Sequence, residues 1–204
     1  TRGKNAYQKL ISAFENREID ILVGTQMLTK GLDFRHVKLV GVMNADSLLN
    51  FPDFRAHERC FHLLVQVAGR AGRTDEQGQV LIQTYNPYHR ILQQVTTNSY
   101  DEMFKEQLDE RRHFKYPPFY RMLKITFKSR DFNKLNEGAE WLAMYYRQIF
   151  KSYVLGPEFP AISRIRNEYH KTLIIKIPQE QSLSKTKAYV KKGIDKFKYI
   201  AHFR

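Results

Sequence analysis

Gln66, Arg70 and Arg73 are the residues whose types and spacing point most directly to chemistry. The two arginines stand three residues apart in Gln66-Val67-Ala68-Gly69-Arg70-Ala71-Gly72-Arg73, where an apolar helical run ends. A small, glycine-rich step lets the backbone approach a phosphate while both guanidiniums point the same way. A guanidinium stabilises the charge that builds on a transferring phosphoryl group, so the octet predicts an arginine finger.

A second candidate lies upstream, in Ile21-Leu22-Val23-Gly24-Thr25-Gln26-Met27-Leu28-Thr29-Lys30-Gly31-Leu32-Asp33-Phe34. The apolar run over residues 19–23, broken only by Asp20, predicts a strand buried on both faces, as in a parallel sheet. Gly24-Thr25 ends it, setting a hydroxyl and open amides at the carboxyl edge of a sheet, where α/β proteins hold their ligands. Residues 38–46 and 79–85 predict two further apolar strands. Between them Asp53 suits the cap of a helix starting near Phe54, with Cys60, Leu64 and Val67 as its apolar stripe. Asp33 and Asp46 read equally as nucleotide or motor-coupling contacts and as helix caps.

These elements carry a resemblance. The octet is similar to motif VI of superfamily 2 helicases, and the upstream stretch to motif V. Asn44-Ala45-Asp46, Pro52-Asp53-Phe54-Arg55-Ala56 and the octet, in that order, resemble the PriA family of replication-restart helicases. Gln83-Thr84-Tyr85-Asn86-Pro87 and Glu110-Arg111-Arg112-His113-Phe114-Lys115-Tyr116-Pro117-Pro118-Phe119 match the same family. The likeness is strong over residues 21–119 and beyond them rests mainly on Val154-Leu155-Gly156-Pro157.

The resemblance implies the carboxyl-terminal part of an ATP-dependent 3′-to-5′ DNA helicase that recognises stalled forks and starts primosome assembly. It implies that Arg70, Arg73 and Gln66 act on the ATP γ-phosphate and that Gly31, Asp33 and Gly69 line the nucleotide. It sets Gly24, Thr25, Gln26 and Lys30 against nucleotide or DNA phosphates. ATP and magnesium are the cofactors of the parent protein, with zinc in a parent region absent here. Forked or single-stranded DNA, single-strand-binding protein and other primosome proteins are the partners.

What the chain lacks bounds this. It contains no Gly-x-x-x-x-Gly-Lys-Ser/Thr loop and no Asp-Glu-x-His motif, so it is expected not to hydrolyse ATP alone, with no cofactor bound to it. One cysteine makes neither a zinc cluster nor an internal disulfide, and none of the histidines has ligand spacing. The start at Thr1 is read as mid-domain in a longer helicase. No run of eighteen apolar residues or secretory signal is visible, and with the single thiol a cytoplasmic setting without a membrane partner is expected.

The expected architecture is an α/β RecA-like partial helicase lobe with a parallel sheet over residues 1–85. A linker helix and Pro-Pro turn follow over 86–118, then a small basic α+β DNA-binding domain over 119–204. Charge divides unevenly along it. Residues 1–118 carry 16 Lys+Arg against 14 Asp+Glu, whereas residues 119–204 carry 18 against 7, a net +11. A field of that size draws polyphosphate and makes binding salt-dependent. Arg164, Arg166 and Lys171, expected on a loop, and Lys187, Lys191 and Lys192, expected on a final helix, are the candidate DNA contacts. Tyr145, Tyr146, Tyr153, Tyr169 and Tyr199 are candidate base-stacking residues, and Trp141 is expected to pack. The other reading is a non-catalytic fork- or primosome-binding module.

Overall fold

The computed structural model describes residues 6–25, 37–69 and 78–199. The chain divides into two compact units, Thr1–Gln107 and Leu108–Arg204.

Among the described residues, the first unit runs α1 (Ala6–Glu15), β1 (Leu39–Val42), α2 (Asp46–Leu49), α3 (Ala56–Ala68), β2 (Gln79–Ile82), α4 (Arg90–Thr96) and the start of α5 (Tyr100–His113). The strands β1 and β2 pair in parallel, Leu39 opposite Gln79 and Val42 opposite Ile82. A helical crossover between two parallel strands is what α2 and α3 supply. Cys60, Phe61 and Leu64 of α3 close a core with Ile91, Leu92 and Val95 of α4, Met103 of α5, and Ala45 and Leu49. The N-cap of α3 is Arg55, with no side-chain cap hydrogen bond, so Asp53 braces the approach to the helix rather than capping it: its carboxylate accepts the Arg55 N–H at 2.8 Å and meets Arg59 at 3.3 Å.

Three expectations for this unit are corrected. Residues 21–25 form no strand, and Ile21 and Val23 are 78% and 86% exposed. An apolar run becomes a strand only where a neighbour takes its N–H and C=O groups, and among the described residues β1 and β2 pair only with each other. Those two strands are not buried on both faces either. Val40, Val42, Val80 and Ile82 are half-buried, while Leu39 and Leu81 on the opposite face are exposed. The linker helix expected within residues 86–118 is two helices, α4 and α5. Asn98, in the left-handed region at φ 52, lies between α4 and α5. On α5 the inward residues are Met103 and Gln107, and Tyr100 and Phe104 are exposed.

Among the described residues, the second unit from β3 onward is a four-stranded antiparallel sheet with two helices on one face. Its elements are β3 (Tyr120–Ser129), α6 (Phe132–Phe150), β4 (Val154–Glu158), β5 (Arg164–Ile165), β6 (Glu168–Pro178) and α7 (Leu183–Tyr199). β6 is central, flanked by β3 and β4, and β5 pairs with it as a short hairpin arm. The alternation of Leu123, Ile125 and Phe127 with Lys124, Thr126 and Lys128 gives β3 one inward and one exposed face. Leu173, Ile175 and Ile177 of β6 are fully covered beneath α6, whose Leu135, Ala139, Leu142, Ala143 and Tyr146 complete the core. Asp131 caps α6 by accepting the Lys134 N–H at 3.0 Å, a contact worth about 1 kcal/mol.

Helix α7 lies against α6 through a close seam. The Tyr146 hydroxyl donates to the Val190 carbonyl at 2.7 Å, and Gly193 faces the tyrosine ring. Burial first, then Tyr145, pushes the Tyr146 phenol upward, so it remains a donor. Phe197 reaches Phe127 of β3, ring centroids 6.1 Å apart. The segment before β3 is held on the same unit. Lys176 donates to the Phe114 carbonyl, with its Nζ 3.9 Å from the Tyr116 ring centroid. Burial, and then Lys115, lowers the Lys176 ammonium below its ordinary value.

Candidate functional site

The phosphate-site candidates divide between described and undescribed residues. Arg70, Arg73, Gly31, Asp33, Gln26 and Lys30 lie outside the described residues. Gln66 is exposed in the last turn of α3, so its amide is open to a partner group. Gly69 continues the helix at φ −68 and donates to the Val65 carbonyl at 3.0 Å. A Cβ there would meet only ordinary contacts at 3.6 and 3.8 Å, so the backbone conformation does not demand glycine. Gly24 and Thr25 are exposed.

Asp46 has a defined structural task. One carboxylate oxygen accepts the Thr84 hydroxyl at 2.9 Å and the other the Tyr85 N–H at 3.0 Å, tying the exit of β2 to the start of α2. The N-cap of α2 is Ala45, and just before it the Asn44 side-chain oxygen accepts the Ser47 N–H at 3.0 Å. Nearby, the His89 Nδ1 accepts the Ile91 N–H at 3.2 Å and starts α4. Burial lowers the His89 imidazole, His57 lowers it further, and Asp46 opposes both. The ring pair His57–His89 is edge-on at 5.3 Å.

In the second unit the basic candidates do not form one cluster. Arg164 lies on β5, and Arg166 and Asn167 make the tight turn into β6 with φ 49 and 66. Both residues sit in the left-handed region, as a two-residue hairpin loop requires. Arg164 reaches the Asn167 side-chain oxygen and covers the Tyr169 ring at 4.9 Å. Lys171 is not on a loop but in β6, where it is buried. It shares the parity of Leu173, Ile175 and Ile177, so its stem belongs to the covered face. Its ammonium lies 3.9 Å from Glu140 and 5.0 Å from the Phe159 ring centroid.

Lys187, Lys191 and Lys192 are all exposed on α7. A groove of about 630 Å³ opens beside them, lined by Trp141 of α6 and by Lys191, Lys192, Lys196 and Tyr199 of α7. Of the tyrosines proposed for stacking, Tyr146 is fully buried and Tyr199 is 91% exposed. The sequence places Lys196 on the basic side of the final helix with Lys187, Lys191 and Lys192 without singling it out as a DNA contact, and reads Trp141 as packing. The available signal was the four-residue spacing of Trp141 and Tyr145 on one helix and of Lys192 and Lys196 on the other.

Two family models match successive parts of the chain. The Helicase conserved C-terminal domain matches residues 2–75, and the Primosomal protein N C-terminal domain matches residues 112–198. The Replication restart protein PriA of Bacillus subtilis (strain 168) is 41% identical over 200 residues, covering 97% of this chain and 24% of the relative. Its namesake in Synechocystis sp. is 42% identical over 180 residues, covering 87% and 22%, and that of Borreliella burgdorferi is 34% identical over 194, covering 92% and 28%. The chain thus spans about a quarter of the length of the curated relatives it matches. With a helicase carboxyl-terminal module followed by the primosomal carboxyl-terminal domain, and PriA relatives across nearly its whole length, the chain belongs to the PriA replication restart protein family.

Proposed function

We propose that this chain works as part of an ATP-dependent 3′-to-5′ DNA helicase that restarts replication at stalled forks. The observation that carries the proposal is the succession on one chain of the helicase match, which contains Arg70 and Arg73, and the primosomal match. In this reading Arg70 and Arg73 stabilise the γ-phosphate as its bond to the leaving group breaks. Gln66, exposed near the end of α3, couples the nucleotide to the facing motor module. Gly31, Asp33 and Gly69 border the nucleotide, while Gly24, Thr25, Gln26 and Lys30 face its phosphates or those of DNA.

ATP with magnesium supplies the energy in the longer protein, and zinc belongs to a region of it outside this chain. The motor module ends near residue 85 and the DNA-binding domain begins near residue 119. Forked or single-stranded DNA, single-strand-binding protein and other primosome proteins are its partners in the cytoplasm. Arg164, Arg166, Lys187, Lys191 and Lys192 contact DNA. Lys171, packed between Glu140 and Phe159, acts on the hairpin's shape more than on a phosphate.

Arg73→Ala in the longer protein tests the motor role. Loss of an arginine finger lowers turnover by about 10³-fold or more while DNA binding persists. Normal ATP turnover in that variant would remove the assignment. One observation favours a second reading for the chain by itself: 18 of its 34 basic residues and only 7 of its 21 acidic ones fall in residues 119–204. That makes the isolated chain a DNA-binding module, with ATP hydrolysis dependent on regions outside it.

A further inference from the structure

We propose that the groove between α6 and α7 receives unpaired DNA bases, with Trp141 as the stacking platform and Lys192 and Lys196 as the phosphate contacts. The inference rests on the DNA-binding reading above and names the surface that performs it.

Three features converge there. The indole of Trp141 is already half of an aromatic stack, its plane within 9° of Tyr145 at a centroid distance of 6.0 Å. Phe197 supports it from the neighbouring helix at 6.1 Å. An indole held by two rings has lost its rotamer freedom before any ligand arrives, so stacking a base on it costs little further ordering. The groove it lines is open, and Tyr199 stands exposed on the rim.

Cations are arranged to suit a chain of phosphates. Lys192 and Lys196 lie one helical turn apart along the groove, with Lys191 beside them. Lys196 also sits 5.2 Å from the Tyr145 ring centroid, which joins the cationic row to the aromatic one. Asp195 is the carboxylate on the lining, outnumbered three to one by these lysines. The basic row continues past the groove to Lys187 and Lys198 on the same helix, further than a short acidic peptide would use. Aromatic faces alternating with cations along a groove are the means by which proteins hold single strands without reading their sequence.

Trp141 is the chain's one tryptophan, so its emission reports this groove alone. The experiment titrates the full chain with an oligothymidylate of about 15 nucleotides. It reads Trp141 emission and, in parallel, the anisotropy of a labelled copy. Saturable quenching is expected at the same midpoint as the anisotropy change. The Lys192→Glu/Lys196→Glu double variant, with its circular dichroism unchanged, is expected to raise that midpoint about tenfold or more at low salt. Anisotropy binding with unquenched emission would overturn the groove assignment and leave the DNA-binding reading intact. Absence of binding in both signals would overturn the two together. Quenching by an acidic, aromatic-ended peptide but not by the oligonucleotide would give the groove to a protein partner and refute the proposal.

Discussion

Gly193→Ala should destabilise the second unit, although alanine is the better helix former. A Cβ at Gly193 would lie 2.5 Å from Tyr146 Cε1 and 2.8 Å from both Cζ and Oη. Carbon atoms pack at about 3.5–4.0 Å, so the methyl group intrudes by about 1 Å. The ring has nowhere to retreat, because Tyr146 is fully buried and its hydroxyl is anchored on the Val190 carbonyl at 2.7 Å. Overpacking of this kind costs about 1–3 kcal/mol. Disturbing the hydrogen bond adds about 1 kcal/mol, and the gain in helix propensity returns about 0.8–1 kcal/mol. The net loss is about 2 kcal/mol, which for a unit of this size lowers Tm by roughly 10 °C. Thermal unfolding followed by Trp141 emission reads the unit that contains the seam. A Tyr146→Leu background should reverse the sign, since only the propensity gain then remains. An unchanged or raised Tm for Gly193→Ala in the natural background would refute the close seam.

Other perturbations test separate parts of the account. Protonating His89 removes the Nδ1 lone pair that accepts the Ile91 N–H, and its folded pKa lies below the unfolded value of 6.5. Its contribution to stability is therefore complete above pH 6.5 and lost as pH falls from there to the folded pKa. His89→Asn, which keeps a capping oxygen, should flatten that part of a stability–pH profile. The Cys60 thiol is buried and pushed up to about 11, so at pH 8 only about one in a thousand is thiolate. It should ignore Ellman's reagent until the first unit is unfolded in denaturant. Gly156 holds φ 86, and a Cβ there would lie 2.7 Å from the Thr172 carbonyl oxygen. Gly156→Ala should therefore cost about 3 kcal/mol in chemical denaturation, from the strained backbone and the clash together.

Much of the second unit was legible because its patterns are long. Leu135, Ala139, Leu142 and Tyr146 repeat at helical spacing and are all buried, and Leu173, Ile175 and Ile177 alternate and are all covered. The same parity places Lys171 on the covered face, so its loop assignment overlooked a signal already present. On α7 the apolar residues Val190 and Phe197 pack half-buried against the core, and its fully buried residues are Thr186 and Gly193. No apolar pattern marks a glycine chosen to admit a tyrosine ring from another helix. In the first unit, Ile21 and Val23 show the limit of short runs, because strand formation depends on a pairing partner that composition does not specify. The role of Asp46 likewise depends on how the exit of β2 returns to α2, a contact across 38 residues in the case of Thr84.

The most direct test of the central claim is the salt dependence of forked-DNA binding by this chain, measured by fluorescence anisotropy. If Arg164, Arg166 and the four α7 lysines Lys187, Lys191, Lys192 and Lys196 each meet a phosphate of a single-stranded arm, the log–log slope of affinity against salt should be about −4. Charge reversal at those four lysines should abolish most of that slope. Binding that is absent at low salt, or that is present but indifferent to both salt and the four lysines, would contradict the account.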